Sequence, residues 1–187
     1  MTIARVPSTY VTSLPRTPNL KAVRYEENVY TLSDDWFIRE DIVVGRHSME
    51  YVLVSRYGIF ALLPQKRSGV VHQQGDQIFV NNDRQSHAIQ NAWHATQALE
   101  QAVGTKVYPV LVYRELSPKS QETAAVAGRR GYTAEAAEQP EQTHWKVQGT
   151  LLTSWEHLTE TLGTFSHKVF SWTEASQFAR QIRRLSQ

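Results

Sequence analysis

The sequence predicts an α/β fold, a mixed central sheet flanked by helices, on three observations. β-rich segments follow one another from Trp36 to Leu63 with only turn-length breaks between them. A long amphipathic helix over His87–Val103 leads into the unbroken apolar run Val107–Tyr113, the pattern of a strand enclosed in a sheet. A second amphipathic helix is predicted over Ser171–Leu185. Antiparallel strands first and helix-linked strands afterwards is the order of a mixed sheet.

Taken along the chain, residues 1–19 hold Pro7, Pro15 and Pro18 among Ser and Thr and read as an extended arm, with room for a short strand around Thr9–Thr12. Residues 20–187 are expected to form one domain. Leu20–Leu32 fits either period: Leu20, Val23 and Glu27 share a helix face, Val23, Tyr25 and Val29 a strand face, and the helical reading is preferred. Trp36–Val44 is a strand, Arg46–Ser48 a polar turn, and Met49–Ser55 and Gly58–Leu63 are strands joined at Arg56–Tyr57–Gly58. Val70–His72 and Gln77–Val80 make a short hairpin around Gly75–Asp76. In the long helix Ile89, Ala92, Trp93, Thr96, Leu99 and Val103 recur at helical spacing, Trp93 among the expected core residues, and Gly104 ends it. Residues 117–143 have no period and carry Gly128, Gly131 and Pro140, so they read as a flexible insertion. Trp145–Leu152 is a strand and Leu158–Leu162 a short helical turn, while Ser171 with Glu174 forms a capping box at the start of the last helix.

Composition narrows the function classes. At 187 residues the chain buries roughly 70% of its unfolded surface and needs no staples. It has no cysteine, which excludes disulfides and thiolate zinc sites and fits a cytoplasmic location. No apolar run approaches the ~20 residues that span a bilayer, and Arg5 and Arg16 are not followed by the apolar core of a secretory signal, so no membrane partner is expected. The net charge of +2 permits phosphate binding without arguing for it.

Residues 34–115, and more loosely 145–185, resemble the nuclease-related domain (NERD) family of the PD-(D/E)xK nuclease fold. The resemblance rests on Asp35–Trp36 leading into REDIVV, on MEYVLVSRYGIFALL, on Lys66–Arg67–Ser68–Gly69, on the GDQIFVN hairpin, on Gln90 in the long helix and on VYPVLVY. It implies a restriction-endonuclease-like sheet and a site for a hard divalent cation, usually Mg²⁺, held by oxygen ligands. In that family one acid precedes the first of two paired strands. A second acid, with a Lys two residues later, lies on one face of the next strand, where both meet metal, water and phosphate.

This sequence departs from the pattern at the decisive positions. Glu50 takes the first acidic place, but the second reads Leu63–Pro64–Gln65. Leu63 cannot bind metal and Gln65 carries no charge. Pro64 removes a ladder donor, so the strand is expected to end there or to lie at an edge. The upstream Glu position falls near Lys21, and Gln90 fits the helix Gln. Glu50, Leu63, Gln65 and Gln90 are therefore remnant positions, with Glu50 the sole candidate metal ligand and no cofactor expected. A rescue would take Glu50, Glu26 or Asp41 as ligands and Lys66 as the lysine, re-aimed by a bulge at Pro64.

Other constellations carry less. His87 and His94 share a helix face with Gln90 but lack a second ligand pair, and no serine stands in a nucleophile elbow. Tyr10, Tyr132, Trp145 and Trp155 sit near loops and strand ends, where stacking on bases is an option beside plain packing. The sequence thus leads to nucleic-acid binding, DNA foremost and with a lean to single strands, by a catalytically degenerate nuclease-like domain with a role in DNA processing or repair. Arg46, Arg56, Lys66 and Arg67, expected to cluster on neighbouring turns, and Arg129 and Arg130 at a loop tip, are the phosphate-contacting candidates. The alternatives are an Mg²⁺-dependent nuclease with displaced ligands and a partner-binding scaffold.

Overall fold

The structure, a computed structural model, describes residues 29–119 and 142–186. The expected arm at 1–19, most of the segment 20–32, and Arg129 and Arg130 lie outside the described residues.

WFIREDIVV and the segments after it fold as an antiparallel meander: β1 (Phe37–Val44), β2 (His47–Ser55) and β3 (Gly58–Gln65). The long helix is α1 (Ser86–Val103), closed by Gly104 at φ 75, whose N–H donates to the Glu100 carbonyl. VYPVLVY is β7 (Val107–Tyr113), parallel to β3. Two more strands follow, β9 (His144–Val147) and β10 (Thr150–Ser154), giving a six-stranded mixed sheet in the order β1-β2-β3-β7-β10-β9. Helices α2 (Leu158–Gly163) and α3 (Trp172–Arg183) complete the layers. The α/β class and the mixed sheet are as the sequence predicts.

Alternation along the central strands builds a core on each face. Val52, Val54, Ile59, Ala61 and Val107 pack with Ala95, Leu99 and Val103 of α1 and with Ala175, Ala179 and Ile182 of α3. Tyr51, Leu53, Phe60, Leu62, Val110 and Val112 pack on the other face with Leu158 and Leu162 of α2. Arg39 fastens α3 to β1: its Nε–H donates to the Ala179 carbonyl at 2.8 Å and its guanidinium lies 5.9 Å from the Phe37 ring centroid. Burial, with the charge of Arg183 second, holds its pKa below the usual value.

Four differences from the sequence reading bear on the site. Trp145–Leu152 is not one strand but the β9–β10 hairpin, because Gln148 and Gly149 both take positive φ, 50 and 76, and turn the chain back. Residues 117 and 118, expected in the insertion, instead join Leu116 in β8 (Leu116–Pro118), parallel to β4 (Gly69–Gln74). With β5 (Gln77–Val80) and β6 (Asp83–Arg84) these strands make a second, four-stranded sheet in the order β6-β5-β4-β8. The polar turn expected at Arg46–Ser48 is tighter, with β2 already begun at His47. Finally, β3 continues through Pro64 to Gln65 on the pairing with β7, while its pairing with β2 stops at Tyr51↔Leu62. Beyond Leu62 the strand has an open β2 side, so the missing Pro64 N–H interrupts no β2 ladder.

Among the described residues no helix is long and apolar enough to cross a membrane.

Candidate nucleic-acid interface

Strand direction decides which turns share an end of the sheet. β2 runs opposite to β3, so the β1–β2 turn with Arg46 lies at the end where β3 finishes, beside Lys66 and Arg67. β7 is parallel to β3 and finishes there too, at Tyr113 and Arg114. The Arg67 carbonyl accepts a hydrogen bond from the Arg114 N–H at 3.4 Å, and the Glu115 carbonyl accepts one from the Gly69 N–H at 3.0 Å. This end of the sheet therefore carries Arg46, Lys66, Arg67 and Arg114, all four exposed.

Arg56 does not belong to that cluster, which corrects the expectation from the sequence. It lies on the β2–β3 turn at the opposite end, one nine-residue strand away, or roughly 25–30 Å at ~3.3 Å per residue. Its guanidinium is 3.6 Å from Asp35, and its carbonyl accepts from the Val169 and Phe170 N–H groups at 2.8 and 3.0 Å. Arg56 thus ties the segment before α3 to the sheet. Arg67 stays at the cationic end but is paired with Asp83 of β6 at 2.9 Å, both side chains largely exposed.

Glu50, Leu63 and Gln65 of the remnant positions lie at the same end of the sheet. Glu50 of β2 and Leu63 of β3 are one register step past Tyr51↔Leu62, on adjacent strands. Leu63 is half-buried against the core. The Gln65 Nε2–H group donates back to the Leu63 carbonyl at 3.2 Å, which holds this side chain along its own strand. Gln90 is exposed on α1, next to Ile89, which is buried in one core cluster with Leu111 and Tyr113. Tyr113 closes the floor: it is 1% exposed, and its hydroxyl donates to Gln85 Oε1 at 3.0 Å. Burial raises its pKa well above the usual phenol value, opposed in smaller measure by Arg67.

Glu50 itself is exposed, for a reason visible in the pleat. The β1–β2 register runs from Glu40↔Tyr51 to Ile42↔Met49 and skips the step between, where Asp41 takes φ 53. Across this break the inward residues change parity: Phe37 gives way to Ile42 on β1, and Met49 gives way to Val52 on β2. Glu50, which strict alternation with Val52 and Val54 would send inward, is turned to solvent with Asp41 opposite it. Among the described residues no three His, Asp or Glu side chains come close enough to hold a metal ion. Two exposed carboxylates beside an apolar Leu63 do not fit a site for Mg²⁺, which takes several convergent oxygen ligands.

Of the aromatics read as stacking candidates, Trp145 and Trp155 are 3% and 5% exposed and belong to the core. Tyr10 and Tyr132 lie outside the described residues. Trp93 reverses the other way: expected in the core, it is 50% exposed. The sign was available in the helix period, since Ile89, Ala92, Thr96, Leu99 and Val103 already fill the buried stripe and Trp93 starts the stripe beside it.

The second sheet braces the cationic end. The Asn81 side chain accepts from the Val70 N–H at 2.9 Å and donates to the Ser68 carbonyl at 2.8 Å. It lies so close over Gly69 that a Cβ there would meet it at 2.6 Å. The turn that carries Lys66 and Arg67 is thereby fixed from both of its flanks, by Asn81 and by the β7–β8 connection. No protein-family model, curated protein or solved structure matches the chain.

Proposed function

We propose that this protein binds nucleic acid, DNA foremost, through the end of the sheet where β3 finishes, and that it does not cut it. The observation that carries this reading is the exchange of chemistry at one place. Leu63, Pro64 and Gln65 stand where the nuclease resemblance calls for an acid and a lysine, while Arg46, Lys66 and Arg67 gather at that same end. A phosphate approaching there meets exposed cations, Lys66 and Arg67 on a braced turn, with Glu50, Asp41, Asp83 and Glu115 as the opposing carboxylates. Losing the metal acid removes charge that would repel phosphate in the absence of metal. Glu50 and Leu63 on adjacent strands is the placement that the resemblance implies for the first and second acidic positions.

The reading is tested by fluorescence anisotropy of a labelled single strand and a duplex, each titrated with the full chain in EDTA and in Mg²⁺ or Mn²⁺, with the recovered DNA run on a gel. The expected result is the same affinity with and without metal and intact DNA. Metal-dependent cleavage abolished by Glu50→Ala would replace it with the displaced-ligand nuclease. Absence of binding at low salt would leave the scaffold.

A further inference from the structure

α1 presents two stripes. Beside the buried one, Trp93, Gln97 and Glu100 recur at i, i+4 and i+7 and form one wall of a cavity of about 200 Å³. The start of β7, from Lys106 to Pro109, and the β9–β10 hairpin, through Lys146 and Gly149, form the rest. This is the end of the sheet opposite Lys66, because β7 begins where β3 begins.

The walls are fixed. Trp93 is half exposed, yet its Nε1–H donates to the Gln148 carbonyl at 3.0 Å, which orients the indole against a turn that is itself held by two positive φ values. Glu100 Oε1 accepts from the Val107 N–H at 2.9 Å, which holds the carboxylate at the cavity and leaves it further acceptor capacity. Lys106 Nζ stands 5.3 Å from the Tyr108 ring centroid, and Lys146 is exposed on β9. The cavity thus offers a flat aromatic face, an acceptor and two cations against one anion. Its volume is below the roughly 300–1,000 Å³ of sites for drug-sized ligands, which suits one ring system rather than two.

We propose that this cavity binds a nucleotide unit. The base stacks on Trp93, its exocyclic amino group donates to Glu100, and its phosphate is neutralised by Lys106 and Lys146. The shared chemistry, a planar base with one phosphate, comes either from a free mononucleotide or from an unpaired nucleotide of a strand. The site stands apart from the cationic end and does not rest on that reading.

Isothermal titration of the full chain with adenosine, cytidine and uridine monophosphates, and with adenosine, tests it. The expected result is one-to-one binding of the adenosine and cytidine nucleotides, weaker binding of the uridine nucleotide, which lacks an amino donor, and weaker binding of the nucleoside. Stacking is worth about 1–3 kcal/mol by alanine substitution, so Trp93→Ala should weaken the adenosine nucleotide roughly 5- to 150-fold. Trp93→Phe, which keeps a flat ring, should lose less. Lys106→Ala with Lys146→Ala should bring the nucleotide down to the affinity of the nucleoside. No saturable binding, an unchanged Kd in Trp93→Ala, or a nucleotide–nucleoside difference that survives loss of both lysines would each overturn the proposal. Displacement of a labelled strand by the mononucleotide would identify the occupant as a unit of the strand, and binding without displacement as the free nucleotide. Strand binding without nucleotide binding sinks this proposal alone, whereas nucleotide binding without strand binding sinks the reading of the cationic end alone.

Discussion

Tyr113 shows how one side chain joins stability to the candidate interface. It lies opposite Gln65 in the β3–β7 register, is 1% exposed, and hydrogen-bonds Gln85 at the start of α1. Because burial raises its pKa above the unfolded value near 10.0, the folded state holds the phenol proton more tightly than the unfolded chain does. The corresponding stability is fully present below about pH 10 and is lost as pH rises from there toward the folded value. Tyr113→Phe should lower stability by about 1 kcal/mol at neutral pH through the lost hydrogen bond. It should also flatten the decline above pH 10, and urea denaturation at neutral and alkaline pH would show both. At this scale the sequence was informative where identity alone decides chemistry: Leu63 and Gln65 exclude an acid and a lysine wherever the fold places them. It was silent on Glu50's exposure, which depends on the break in the pleat at Asp41, a backbone event with no glycine to announce it.

Among the elements, the long periodic ones were legible and the short ones were not. α1, the β2–β3 hairpin and β7 each have enough residues for the period to register. β6 and β8 are two and three residues long, too short to carry one. β9 and β10 merged into a single run because apolar residues lie on both sides of Gln148–Gly149, and Gln at a positive φ is not a recognised turn signal. The capping box of α3 was legible, since its chemistry is local. Ser171 Oγ accepts from the Glu174 N–H at 3.3 Å, and Glu174 Oε2 accepts from the Ser171 N–H at 2.7 Å. Those bonds from the Ser171 backbone and side chain hold the Glu174 pKa below its usual value. The contribution is present above the unfolded carboxyl pKa and is lost as pH falls through the folded one. Ser171→Ala removes the N-cap acceptor and should cost about 1 kcal/mol at neutral pH. The gap between variant and parent should narrow below about pH 4, as thermal melts across that range would reveal. A gap independent of pH would mean that the hydroxyl caps the helix without its reciprocal glutamate.

For the whole molecule, the decisive property is which turns share an end of the sheet, and a net charge of +2 says nothing of that. Turns after successive antiparallel strands fall at alternate ends, so Arg46 and Arg56, close in sequence and both on turns, are a strand length apart. The same alternation places Arg46 with Lys66 and Arg67, twenty residues further on. Four exposed cations at one end, Arg46, Lys66, Arg67 and Arg114, set the scale of binding. They imply a log–log salt dependence of Kd with a slope of about 3 on single strands and roughly 3.5 on duplex DNA, and little sequence preference, since phosphate contacts carry none. The measurement that tests this most directly is the affinity of the full chain for one labelled strand across a salt series, beside Lys66→Ala/Arg67→Ala. Binding should weaken along that slope, and the double variant should bind every sequence more weakly with a slope shallower by about 1.4 on a single strand. Affinity indifferent to salt, or a double variant indistinguishable from the parent, would contradict it.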